Sequence, residues 1–265
     1  MAVTMITATV QQLALWNEGT ADSDWQVRRS RRARRPSVKV YRDGAVEIVV
    51  PERLADRQVE SFVARHRGWI ERHRCLPPVD LAFPPARLEL RALGEIWHCR
   101  TSAPPDGAMS DPGPIIRAHA DGGILELQTA AGMDAVRDAL LDWLAERAGA
   151  TLEPRLNALA AELKVTYRRV QIRRQRTRWG SCSVRGTISL NFCLLFHRPA
   201  VVRYLLAHEL AHLTHLNHTP QFWEQVARYE PQWRELDREL LRGWKQVPAW
   251  ILAALRLRAY PRSNS

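Results

Sequence analysis

Apolar and polar residues alternate over residues 37–41 and again over 45–50, and the turn dipeptide Asp43-Gly44 lies between them, so the pattern predicts a β-hairpin. From 54 to 74 the period lengthens. Val59, Phe62, Val63, Trp69 and Ile70 recur at helical spacing, which predicts a helix. Pro77-Pro78 and Pro84-Pro85 bracket a linker. Residues 87–102 and 115–128 return to strand patterning, the second stretch turning at Asp121-Gly122-Gly123, with a Pro-, Gly- and Asp-rich loop over 104–114 between them. Residues 134–164 are helical, with a kink or break expected between Gly149 and Pro154 because proline lacks the N–H a helix interior uses. Residues 1–36 show no such pattern and read as a loosely attached arm.

The second half differs in kind. Val170 and Ile172 alternate with polar residues, as do residues 187–191, so two strands flank a polar loop over 176–186. After Pro199, the run from Val201 to Ala207 is strongly apolar, as a buried helix requires, and Val201 and Leu205 share the side that later carries His208. Thr219-Pro220 supplies the residues favoured at the cap and first position of a new helix. That helix buries Phe222, Trp223 and Val226, is interrupted by Pro231, and resumes over 233–244 with Trp233 and Leu236. There is no internal repeat and no low-complexity tract. The fold class expected is α+β. Residues 1–36 form a basic arm, 37–130 a mainly β region with helices, 131–245 a domain organised about the histidine helix, and 246–265 a tail.

Four of the nine histidines fall in the eleven residues from His208 to His218. His208, Glu209 and His212 form H-E-x-x-H. On a helix the two histidines stand one turn apart on one face and can reach one metal ion, with Glu209 beside that face. Catalytic zinc takes three protein ligands and leaves a fourth position for water, and a neighbouring carboxylate can accept that water's proton and pass it to the leaving amine. The third ligand has two candidates. His215 would stand about 10 Å along a straight helix from His208, too far for bonds of about 2 Å. His218 is better placed if the helix ends near Leu216-Asn217 and the chain turns back. A structural zinc would normally take four protein ligands, often thiolates, and nothing nearby offers them unless His215 and His218 both bind.

Taken together, Arg178-Trp179-Gly180-Ser181-Cys182-Ser183, then Ile188-Ser189-Leu190-Asn191, the histidine stretch, and Phe222-Trp223 resemble the YgjP-like metallopeptidase family, with Thr219 where the family more often has serine. The strong match covers about residues 170–235, and a weaker one reaches back to the hairpin and to Trp69-Ile70. The resemblance implies a minimal zincin-like domain with an H-E-x-x-H helix, one Zn2+ per chain, His208, His212 and His218 as ligands, and Glu209 as general base. The family is similar to the SprT-like and WLM proteases, some of which act on proteins attached to DNA. By analogy with zincins, strand 187–191 or the loop before it would receive a protein or peptide substrate as an added strand.

Other residues invite functional readings. Cys182 reads as packed or turn-forming rather than nucleophilic. Gly180 would permit a tight turn with Ser181 or Ser183 hydrogen-bonded to it. Arg178 would either stabilise an oxyanion or pair with a carboxylate, and Tyr204 is packed rather than catalytic. The four cysteines form no C-x-x-C pair, which fits reduced thiols in a cytoplasmic setting. Residues 1–16 lack the pattern of a signal peptide, and no stretch approaches the roughly 20 apolar residues of a membrane helix, so no membrane partner is expected.

The net charge of +11 concentrates in two arginine runs, Arg28–Arg35 and Arg168–Arg178, which make nucleic acid a candidate partner through counterion release. The alternative for the second run is a strand with solvated arginines outside. A zinc-containing nucleic-acid-binding or adaptor module with little peptidase activity is therefore the competing function, and Glu209 argues against it, since a structural zinc needs no such carboxylate. Composition leaves the oligomeric state undetermined. The two candidates for third ligand separate by mutation. His218→Ala is expected to lose the metal and His215→Ala to keep it, measured as zinc per chain; the reverse pattern would exchange their roles.

Overall fold

The structure is a computed structural model that describes residues 25–40, 46–74, 82–102, 115–128 and 132–259. The chain divides into two compact units, Met1–Val79 and Asp80–Ser265. The first holds β1 (Trp25–Ser30), β2 (Ser37–Val40), β3 (Val46–Pro51) and α1 (Asp56–Arg74). β3 is central, parallel to β1 and antiparallel to β2. Covered on both sides by its neighbours and by α1, it reads as a continuous apolar run broken by Glu47, whose carboxylate takes an ion pair from Arg28 at 2.8 Å. Val46, Ile48 and Val50 pack with Val59, Val63 and Ile70 of α1 in a separate small core. The expected hairpin is present as β2 and β3, while its turn lies outside the described residues. The arm expected over 1–36 is corrected in part. Trp25–Ser30 is a strand, because Val27 and the arginine backbone find a parallel partner in β3 that sequence spacing does not disclose.

The second unit opens with a four-stranded sheet in the order β4 (Arg87–Leu90), β5 (Glu95–Ser102), β7 (Ile124–Gln128), β6 (Ile115–His119). The turn into β7 falls where Gly122-Gly123 predicts it, with Gly123 at φ +58°. Leu88, Leu90, Trp97, Leu125 and Leu127 share one core with α2 (Met133–Glu162) and with the histidine helix. The expected domain boundary at 130 is therefore not where the chain divides. This sheet cannot bury its apolar face without the helices that follow. The expected break in α2 is absent too. Leu140, Leu141, Leu144 and Ala148 before Pro154, and Leu156 and Leu159 after it, are all buried, and that packing carries one helix across the missing hydrogen bond.

A second sheet follows, with β10 (Thr187–Asn191) central, parallel to β8 (Arg169–Arg173) and antiparallel to β9 (Gly180–Cys182). A 3-10 turn at Phe192–Phe196 leads into α3 (Pro199–Ala211), then α4 (Pro220–Tyr229) and α5 (Trp233–Leu241). Pro231 separates the last two as expected. The residues read as a tail form α6 (Ala249–Ala259), with Trp250, Ile251 and Leu255 in the core. None of the described helices is long and apolar enough to cross a membrane.

His197, at the entry to α3, is 1 % exposed and lies edge-on to Trp179, which stacks on Trp244. Burial pulls its pKa from 6.5 to about 4, against the opposing pull of Glu239. The folded imidazole thus resists a proton that the unfolded one accepts, so stability rises with pH between about 4 and 6.5. On acidification the wild type should lose about 3 kcal/mol relative to His197→Phe across that window, measured by urea unfolding at both ends. Equal pH dependence in the two proteins would rule this out.

Candidate metal centre

α3 is almost wholly buried, and it presents His208 and Glu209 on its last turn with His212 as its C-cap. The helix stops at Ala211, a turn earlier than Leu216-Asn217. The cause is local. Leu213 and Thr214 N–H groups turn back to the Leu210 and Ala211 carbonyls at 3.1 Å, and His212 Nδ1 donates to the His215 carbonyl at 3.0 Å. The chain reverses through Asn217, and Thr219 caps α4 as its sequence predicts, accepting from Phe222 N. This early reversal returns His218 to the face of α3.

Among the described residues, His208, His212 and His218 are brought together, each offering one ligand atom within 4.8 Å of the others. Nε2 of His208 and Nε2 of His218 lie 3.1 Å apart. Two nitrogens on a tetrahedral zinc with bonds of about 2.0–2.1 Å stand ~3.3 Å apart, so the spacing fits one ion. His215 is not in this group and contributes its backbone carbonyl instead. Because a carbonyl can only accept, it holds the proton on His212 Nδ1 and leaves Nε2 bare, as metal ligation requires. Burial, reinforced by the other two imidazoles, pulls the His208 pKa down to about 3. Burial also lowers that of His212. Both rings are held neutral and able to bind a cation.

Aromatic contacts fix the rings. Phe222 stacks on His212 with centroids 4.5 Å apart, and His218 stacks on Trp223, which in turn stacks on Trp233 of α5. The Phe-Trp pair read as core from its spacing is thus also the wall of the histidine cluster. Behind His208, the Tyr204 hydroxyl donates to Asp237 of α5 at 2.8 Å. Asp237 belongs to no motif, and the only sequence signal toward it is Tyr204, one turn before His208 on the same helix.

Glu209 is 3 % exposed, and its Oε2 has no hydrogen-bond partner among the described residues. Burial pushes its carboxyl up to about 8. A dication held by the adjacent imidazoles would favour the charged form and bring that value down. An orphaned carboxylate oxygen beside three gathered imidazoles suits a cation and a water, and the donor set fits zinc. The strand β9 passes directly over it. A Cβ built on Gly180 would lie 2.5 Å from Glu209 Oε1 and 2.9 Å from its Cγ. Gly180 is therefore a close-approach residue, not the turn glycine expected from sequence; the turn belongs to Gly186 at φ +73°, closed by its bond to the Ser183 carbonyl at 2.8 Å. Ser183 Oγ accepts from Thr187 N, across that turn.

The remaining residues sort by contact. Asn191 donates to the Gln175 and Arg178 carbonyls at 2.7 and 2.8 Å and accepts from Cys193 N at 3.0 Å, pinning the loop that leads into β9. Cys182 lies on β9, and burial with the Glu209 charge pushes its thiol up to about 11, which rules against a thiolate nucleophile. Arg178 is exposed, with no carboxylate paired to it among the described residues. β10 is the middle strand of its sheet, so the expectation that Thr187–Asn191 is an open edge is corrected: both its edges are taken by β8 and β9. Among the described residues the open edge beside α3 is β9, within the loop read as 176–186.

Three imidazoles gathered at the end of α3, beside a buried carboxylate with one oxygen unpartnered among the described residues, make a donor set of the metallopeptidase type. A family model described as YgjP-like, metallopeptidase domain, matches residues 34–242, and the chain belongs to that family. It is a metallopeptidase, hence a hydrolase. No curated protein matches the chain. Among solved structures it is similar to the metallopeptidase zymogen abylysin of Pyrococcus abyssi (26 % identity, TM-score 0.34, 36 % of this chain and 96 % of that one). It is also similar to the zymogen jannalysin of Methanocaldococcus jannaschii (18 % identity, TM-score 0.32, 35 % and 96 %).

Gly180→Ala tests the close approach. It should leave metal content unchanged and lower kcat/KM by about tenfold to a hundredfold, because it displaces a carboxylate beside the imidazoles and none of the three imidazoles. Unchanged kcat/KM would mean that β9 does not constrain Glu209.

Proposed function

We propose that this metallopeptidase uses one zinc ion per chain, held by His208, His212 and His218, with Glu209 as general base, to hydrolyse peptide bonds in a protein or peptide substrate. The observation that carries the reading is the convergence of three imidazoles beside a buried carboxylate, one oxygen of which has no hydrogen-bond partner among the described residues. When bound, zinc supplies Lewis-acid polarisation of the scissile carbonyl and lowers the pKa of an attacking water. Glu209 accepts the proton as that water's oxygen bonds to the carbonyl carbon. It then returns the proton to the amine nitrogen as the C–N bond breaks, so no other acid is required. The low exposure of Glu209 and the strand across it keep bulk water from competing for that proton. The free edge of β9 supports binding of the substrate as an added strand, with main-chain hydrogen bonds giving affinity and little sequence choice.

The competing reading, a zinc-containing adaptor or nucleic-acid-binding module, draws on the arginine runs. Several of those arginines serve the fold. Arg28 pairs with Glu47, Arg29 with Asp56, Arg31 with Glu52 and Arg174 with Asp142. The peptidase reading therefore stands first, with nucleic acid as a modulator to be tested.

Glu209→Gln should retain one zinc per chain and lose about 10²- to 10⁴-fold in cleavage of an unfolded protein substrate, since the ligands survive and the base does not. Metal analysis and cleavage assays, run with and without single-stranded DNA, check this. Cleavage by Glu209→Gln at the wild-type rate would falsify the role given to Glu209.

A further inference from the structure

Tyr204 and Asp237 are polar groups that the peptide chemistry leaves unused, and they stand directly behind His208. Tyr204 is 0 % exposed, so its hydroxyl cannot touch a substrate. That oxygen lies 2.8 Å from Asp237 Oδ1 and 3.5 Å from His208 Nδ1. A carboxylate can only accept, so the phenol commits its proton to Asp237 and presents a lone pair toward the imidazole. A lone pair there selects the His208 tautomer with hydrogen on Nδ1. The bare nitrogen is then Nε2, the one that faces Nε2 of His218 at 3.1 Å.

The element carrying Asp237 is fixed independently. Two residues on, Glu239 receives Nε and Nη2 of Arg198 at 2.9 and 2.6 Å, tying α5 to the start of α3, and Leu236 and Leu240 are buried beneath. His212 has its tautomer set by the His215 carbonyl; among the described residues His208 Nδ1 meets no such carbonyl, and the Tyr204 hydroxyl takes that place.

We propose that Asp237, acting through the Tyr204 hydroxyl, is a positioning residue that fixes the tautomer and orientation of His208 and thereby strengthens metal binding by the His208–His212–His218 group. The proposal rests on the ligand assignment given under Proposed function. Its physical content lies in the direction of one proton. With Asp237 present, the hydroxyl accepts from His208. Without an acceptor at 237, the hydroxyl is free to donate to Nδ1, which leaves the proton on Nε2 and blocks ligation. Partners of this kind change metal affinity by about 10- to 100-fold in other sites.

The test titrates zinc into metal-stripped full-length protein against a chromophoric chelator, with far-UV circular dichroism of the metal-free forms as the control for folding. Tyr204→Phe keeps the ring and should bind zinc about tenfold or more weakly. Asp237→Leu should weaken binding at least as much, whereas Asp237→Asn, whose amide oxygen still accepts, should stay close to wild type. Removing the hydroxyl from Asp237→Leu should make binding no weaker, since the misdirected proton goes with it; a purely space-filling pair would lose further affinity. Nitrogen-15 NMR of the metal-free wild type should show His208 protonated on Nδ1, and this holds as a readout even if a variant fails to fold. Wild-type zinc affinity in Tyr204→Phe, or a His208 protonated on Nε2, overturns the proposal. Undiminished zinc binding by His208→Ala would instead overturn the ligand assignment itself, however Tyr204→Phe behaves.

Discussion

The last turn of α3 has to carry imidazoles and a carboxylate in a helix whose other side chains are packed out of water. Desolvation disfavours every charged form there, and the functional chemistry follows from that single constraint. It holds His208 and His212 neutral, which is the form that binds a cation. It raises the Glu209 carboxyl toward neutrality, and a dication beside it would favour the charged form. A buried Glu209 oxygen without a hydrogen-bond partner would be a defect in an ordinary core. Beside a bound metal ion that oxygen would be free to accept from a water.

The side chains at that turn meet different parts of the second unit. The loop after α3 gives His212 a carbonyl, α5 gives Tyr204 an aspartate, and α4 gives His212 and His218 aromatic faces. β9 gives Glu209 a backbone without a side chain. Asn191, at the end of β10, holds the loop into β9 through three main-chain hydrogen bonds. The four-residue spacing of the two helix histidines is only the visible part of a site assembled from one sheet and three helices.

The strong positive charge has a more modest meaning. Arg28, Arg29 and Arg31 are bound to carboxylates of the first unit, and Arg198 and Arg203 clamp α3 to α5 and α2. Arginine is suited to this because its planar fork can hold a carboxylate through two nitrogens, as Arg198 holds Glu239. Net charge counts all these residues alike, and contact separates the structural ones from those left to face solvent.

Local chemistry alone determined much of this protein. The period of apolar residues was enough for the β2–β3 pairing, α1, the break at Pro231, and a buried helix ending in H-E-x-x-H, because each depends on neighbours within a few positions. Thr219-Pro220 likewise announced the start of α4 and hence a chain reversal that favours His218 over His215. Partners distant in sequence decided the rest. Trp25–Ser30 became a strand because β3 lay open to parallel pairing, and α2 ran unbroken past Pro154 because a leucine-rich core gripped both halves. The middle place of β10, the closeness of Gly180 to Glu209, and Asp237 behind Tyr204 depend on contacts 29 or more residues apart for the last two pairs, which no local pattern records.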